Sequence, residues 1–268
     1  MIHPRDWYVE IAGQGPDLVL LHGLGASSFS WRHNRAFLSR HFRVITPDLP
    51  GHGRSPAPLG ADYRTESLLQ GVLDFLDWHG IETLALGGNS LGGGLSLLLA
   101  QAQPARVSAL VLLAPAAALT RVPYAFLPLR LPVLGYAIAS LLGPWLLPWF
   151  MRLVYCHPER LIPEAMAGYA PPYRDLRRRL ALRQVCRQLE IRPLAEIAAL
   201  LRGLTLPTAL IWGERDLILP PAQGRWMKAH LPQAEFHLLP QVGHAPHEEA
   251  PEPVNKIIID FLCRSLKN

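Results

Sequence analysis

Leu84-Ala-Leu-Gly-Gly-Asn-Ser-Leu-Gly-Gly93 reads as an apolar strand that ends in a glycine-rich corner and turns directly into a helix. Ser90 sits at the corner. A serine hydroxyl becomes a nucleophile when it is exposed, strained into position and set beside a base, and a sharp strand-to-helix turn supplies the first two conditions. Gly88 and Gly92 flank the corner where a Cβ would collide, and Gly93 and Gly94 let the following helix lie close to the sheet. G-x-S-x-G alone is common enough to arise by chance, so its context decides the reading.

Working outward, Asp17 to Leu21, Arg43 to Asp48 and Val107 to Leu113 read as strands, the first and last being continuous apolar runs of the kind buried in a parallel sheet. Trp7 to Ile11 alternates like an edge strand. Between them, Trp31 to Arg40 and Arg64 to Trp78 have helical spacing, with Gly80 as a stop signal, and Pro104 ends a helix that starts at Leu91. This alternation predicts an α/β fold with a mostly parallel central sheet and helices on both faces. The rhythm resumes with a strand over 208–212, a helix over 221–231, a strand over 235–239 and a final helix over 252–265.

More than ninety residues separate Leu113 from Thr208, whereas a crossover helix needs only a dozen or so. Residues 116–200 are therefore expected to form an inserted helical cap on a core made of residues 1–115 and 201–268. The first half, Val122 to Val154, is very apolar but broken by Pro123, Pro128, Pro132, Pro144 and Pro148. It lacks the run of about 20 apolar residues that a transmembrane span requires, while interfacial contact with a membrane stays open. Such a lid either lines a pocket for an apolar substrate or buries itself on the main domain.

Of 268 residues, 50% are hydrophobic and 18% charged, which points to a globular protein. The net charge of +5 comes mostly from arginine. The cluster Arg174, Arg177, Arg178, Arg179 and Arg183 reads either as an anion or membrane-surface patch or as a solvated helix face. No interleaving of basic and aromatic residues suggests nucleic acid as a partner. Three scattered cysteines, Cys156, Cys186 and Cys263, point to reduced thiols in a reducing compartment, and the N-terminus has no apolar signal-peptide core. A cytoplasmic location is the expectation. Oligomeric state is not legible.

In open α/β sheets, ligands bind outside the carboxyl ends of the strands. Asp216 of Gly213-Glu-Arg-Asp216 follows one late strand, and His244 of Val242-Gly-His244 follows the last. Ser90, Asp216, His244 is the chain order of one particular triad-bearing fold. Glu214 is the fallback for the acid and His247 the competing base. Asp48 comes too early in the chain for the acid and reads as closing its own loop by hydrogen bonds.

With His22-Gly-Leu-Gly25, Asp48-Leu-Pro-Gly-His-Gly-Arg-Ser55 and Gly88-Asn-Ser-Leu-Gly-Gly93 added, the chain resembles the α/β-hydrolase superfamily over everything except the variable cap. The resemblance implies a catalytic Ser90-His244-Asp216 triad without metal or organic cofactor. An oxyanion hole would be made by the backbone N–H groups of Leu91 and, by resemblance, Leu24. Asn89 and Trp31 are candidates for substrate contact. Ser90 stands where haloalkane dehalogenases and epoxide hydrolases carry Asp, and so argues against both.

Asn89-Ser-Leu-Gly-Gly93 and Asn34 are similar to carbon-carbon hydrolases of ring-cleavage products. Gly25-Ala-Ser and Ala245 depart from that pattern, and Gly243-His-Ala-Pro-His-Glu-Glu-Ala-Pro251 looks more like carboxylesterases and small-acyl lipases. The expected activity is hydrolysis of carboxylic esters with apolar short-to-medium acyl groups. The alternatives are carbon-carbon bond hydrolysis and a non-catalytic hydrolase-fold receptor, whose usual sign is a broken triad.

Overall fold

Seven strands, β1 (Val9–Ala12), β2 (Asp17–Leu21), β3 (Arg43–Pro47), β4 (Leu84–Asn89), β5 (Val107–Leu113), β6 (Thr208–Gly213) and β7 (Glu235–Leu239), join in one sheet. The computed structural model describes residues 2–266 and gives the strand order β1-β3-β2-β4-β5-β6-β7. β1 pairs antiparallel with β3, and every other pairing is parallel, as the apolar runs predict. β2 and β4 are neighbours, yet the chain visits β3 between them. The order reverses there, and a crevice opens at their carboxyl ends.

The buried strands divide their side chains between two faces by simple alternation. From β5, Leu110 and Leu112 enter a layer with α2 (Thr65–Trp78) and α3 (Leu91–Ala102), beyond α1 (Arg32–Leu38) in the chain. Val111 and Leu113 point the other way, to Leu38 of α1 and to Val254, Ile258 and Phe261 near the C-terminus. Each fully buried Leu of this kind contributes roughly 1.5–3 kcal/mol.

Between β5 and β6 lie α4 (Leu127–Arg130), α5 (Pro132–Leu141), α6 (Leu147–Val154), α7 (Pro158–Arg174), α8 (Leu176–Gln188) and α9 (Leu194–Gly203). Ile197, Leu200 and Leu201 of α9 belong to the same core layer as α3, so the expected boundary at residue 200 falls inside a core helix. The chain closes with α10 (Pro221–His230), a one-turn α11 (Pro246–Glu249) that the periodicity did not predict, and α12 (Pro251–Ser265).

Of the arginine cluster, Arg174 ends α7 and the other four lie on α8, where three side chains turn to backbone carbonyls, a role neither reading foresaw. Arg178 donates to the carbonyls of Ser55 and Arg54, Arg179 to that of Leu142, and Arg183 to those of Leu131 and Pro132. Three of the five arginines thus clamp backbone carbonyls of segments distant in the chain. Arg174 and Arg177 alone match a solvated face. All three cysteines are free, and burial pushes the Cys186 thiol up to about 12.

Candidate active site

Ser90 stands between the last residue of β4 and the first of α3 with φ +52° and ψ −115°, a conformation that costs a non-glycine residue of order 1–3 kcal/mol. Neighbouring backbone holds it there. Ser90 N–H donates to the carbonyl of Leu113, and the carbonyl of Ser90 accepts from Gly94 and Ala116. The crowding leaves no room for a larger residue at Gly92, where an added Cβ would sit 2.3 Å from the carbonyl oxygen of Leu21.

Asp216 and His244 leave β6 and β7 on adjacent loops. Asp216 is buried, its Oδ1 accepts from the N–H groups of Ile218 and Leu219 at 2.8 Å each, and its Oδ2 lies 2.8 Å from His244 Nδ1. With both carboxylate oxygens engaged, Asp216 is fixed in orientation and in turn orients the imidazole. Glu214, by contrast, is exposed and lies beside Arg215. His247 is fully buried against Trp31, with ring centroids 4.2 Å apart, and burial holds it well below the usual histidine range.

The loop after β2 passes directly over Ser90, since a Cβ on Gly23 would come within 3.3 Å of Ser90 Cβ. His22 anchors this loop. Its Nε2 accepts from Leu49 N–H and its Nδ1 lies 2.8 Å from the Gly23 carbonyl, an arrangement that fits a neutral ring; burial lowers its pKa to about 4. Asp48 takes the N–H groups of Ser28 and Arg54.

Two cavities meet at Ser90. The first, about 820 Å³ including its open mouth, is walled by Leu95, Leu98, Ala116 and Leu119, with Glu190 and Arg192 also in its lining. The second, about 610 Å³ with its open mouth likewise included, is walled by Phe150, Met151, Tyr169, Ser30 and His244. Leu24, Ser90, Phe126 and Ile218 line both. Phe126, Phe150 and Met151 come from the inserted helices.

Two of the expected substrate contacts read differently in the structure. Trp31 is fully buried in the core layer under α12 and lines neither cavity; its neighbour Ser30 does. Asn89 reaches the second cavity, but its Nδ2 donates to the carbonyls of Leu113 and His244, so it ties the His244 loop to the sheet. Asn34 pairs with Asn255 in the interior and has no part in the site.

Sequence reading missed Glu249 and Glu248. Glu249 accepts from Gly243 N–H at 2.8 Å and Cys156 N–H at 2.6 Å, joining the His244 loop to the end of α6, and burial pushes its pKa up to about 7. Glu248 is buried between Tyr169 and Arg32, at 2.6 and 2.5 Å; burial raises its pKa against the pull of Arg32. Their signal was the pair of acidic residues five positions after Gly243, which no polar-surface argument distinguishes from an ordinary helix start.

Residues 16–251 match the sequence model of a family described as alpha/beta hydrolase fold. The chain is 31% identical to a pimeloyl-[acyl-carrier protein] methyl ester esterase of Nitrosospira multiformis, with 95% of this chain and 97% of that one covered. It is 32% identical to a 2-hydroxy-6-oxononadienedioate/2-hydroxy-6-oxononatrienedioate hydrolase of Paraburkholderia phymatum, over 91% and 86%. Among solved structures, a thermophilic esterase from Thermogutta terrifontis superposes with a TM-score of 0.81 at 27% identity, over 97% and 93%.

Proposed function

The chain belongs to the alpha/beta hydrolase family, and from that membership we propose that it is a serine hydrolase of carboxylic esters with apolar short-to-medium acyl groups. The observation that carries this reading is the strained Ser90 at the junction of two largely apolar cavities, one of them shared with an imidazole that Asp216 orients. The inserted helices act as the cap that walls the site. An acyl chain lies along one cavity and the alcohol along the other.

In this mechanism His244 takes the Ser90 proton as Oγ attacks the ester carbonyl, and Asp216 holds the imidazole in the required tautomer and stabilises it once charged. The tetrahedral oxyanion is met by the N–H of Leu91, which as the first residue of α3 has no partner within its helix, and by that of Leu24 in the loop over Ser90. The alcohol leaves with the proton from His244. A water activated by His244 then releases the acid, and no step calls on a metal or organic cofactor.

The carbon-carbon hydrolase relative is the second reading. A dioate is twice anionic, and the only cationic side chain among the lining residues of the two cavities is Arg192, already paired with Glu66 and Glu196. That charge pattern favours a neutral ester.

The test is hydrolysis of p-nitrophenyl esters across acyl lengths by wild type and Ser90→Ala. Turnover is expected on short and medium chains and a fall of about six decades in the variant. A variant keeping a tenth of wild-type turnover would refute the role of Ser90, and activity confined to acetate esters would refute the pocket assignment. Fluorophosphonate labelling of Ser90 separates an active hydrolase from a binding scaffold.

A further inference from the structure

Helix α5 is built inside out. Only Gly135 and Ala139 on it are buried, while Val133, Leu134, Tyr136 and Leu141 are exposed, Val133 at 84%. At 100° per residue, Val133, Ala137 and Leu141 stand on one stripe, with Leu134 beside it and the two small residues opposite. A soluble helix ordinarily turns its bulky apolar residues inward. Here the arrangement is held firmly, because Arg183 bonds the carbonyls of Leu131 and Pro132 at one end of α5 and Arg179 that of Leu142 at the other.

The neighbouring elements continue the pattern. Trp145, whose indole lies against Gly143 just after α5, and Trp149 on α6 are 69% and 58% exposed, and Leu127 and Tyr124 are exposed ahead of α5. The Arg121 guanidinium stacks on the ring of Tyr124, 4.4 Å from its centroid. Bulky aliphatic residues edged by Trp, Tyr and Arg are the composition that settles at a bilayer interface.

Charge selects the surface. No Asp or Glu occurs between Glu82 and Glu159. Residues 116–200 carry 11 of the 26 basic and 5 of the 21 acidic residues, a net +6, and the remainder of the chain sums to −1. Residues 131–151 carry no charge and are flanked by Arg121, Arg130 and Arg152, with no acidic residue nearby in the chain, an arrangement that an anionic lipid surface attracts. Among the described residues no single helix is long and apolar enough to cross a membrane, and α5 meets the segment before it at 110°, so that its outward face can lie along a surface.

We propose that the outward face of α5, with Trp145 and Trp149, docks the protein on an anionic phospholipid surface. Because Phe126 and Phe150 of the same helical layer wall the cavities at Ser90, docking sets the mouth of the site beside the bilayer. The proposal concerns binding and stands whether or not the ester reading does.

Sedimentation with phosphatidylcholine vesicles, with and without about 30% phosphatidylglycerol, tests it. Wild type should sediment with the anionic vesicles, less so at high salt, with a blue-shifted tryptophan emission. Val133→Asp combined with Leu134→Asp should weaken binding at least about tenfold at an unchanged Tm, since both positions are exposed. Trp149→Ala should weaken it less and serves if the double variant is misfolded. Failure of wild type to bind either vesicle would overturn the proposal. So would equal binding by both variants, or a wild-type dimer that the double variant dissolves while vesicle binding is unchanged.

Discussion

Two apolar helices of similar length, α3 and α5, have opposite fates. In α3 nine of the twelve residues from Leu91 to Ala102 are buried, and the helix is apolar all round because it has neighbours all round. In α5 two of ten are buried. Apolar composition therefore states how much contact a helix wants, and the arrangement of its small and large residues states where the contact lies. Leu95 and Leu99 of α3 complete the core, whereas Val133 and Leu134 wait for a partner outside the chain.

A charge in each helix breaks or sustains this contrast. Leu99→Asp should cost more than about 4 kcal/mol and leave no cooperative melting transition, since it places an unpaired carboxylate in the core. Next in size is the seam between the two regions, where Glu249 joins the His244 loop to α6. Its folded pKa of about 7 lies above the ordinary 4.5, so the stability it contributes is present in full below pH 4.5 and is lost as pH rises through 7. Denaturation of wild type and Glu249→Gln across this window should differ in slope, with a span of about 3 kcal/mol in wild type; parallel curves would place the titration elsewhere.

Arg183→Ala removes two hydrogen bonds to the start of α5 and should cost about 1–3 kcal/mol, with faster amide exchange confined to α4 and α5. Exchange that spreads into α3 would show the two helices to be one cooperative unit. Val133→Asp and Leu134→Asp come last. Their effect on thermal stability should stay within about 0.5 kcal/mol, and a larger loss would mean that α5 is packed in solution after all.

Much of the fold is legible in the sequence because β2 and β5 are short, largely apolar runs with turn-forming residues soon after them, His22-Gly23 and Ala114-Pro115, and their bounds follow from those residues. The places of Ser90, Asp216 and His244 at strand ends are legible for the same reason. Side-chain direction in irregular backbone is not. Ser30 and Trp31 are consecutive in one short turn, yet one faces the cavity and the other the core, and no periodicity applies there. Nor could the α8 arginines be read, since the carbonyls they bond lie far away in sequence and only the fold brings them near. The exposure of α5 was hidden because the helix has no charged residue to mark an outside, and only the split between small Gly135 and Ala139 and bulky Val133 and Leu134 gives its phase.

Those clamps give the molecule a load path. A force on α5 passes through Arg179 and Arg183 into α8 and leaves it through Arg178 to the carbonyls of Arg54 and Ser55. Ser55 is tied by its hydroxyl to Asp48, and the adjoining Leu49 is bonded to His22. The line ends in the loop that carries Leu24 over Ser90. In mechanical terms α8 is a beam, hydrogen-bonded through Arg179 and Arg183 to the outer skin of the protein and through Arg178 to the loop beside its centre.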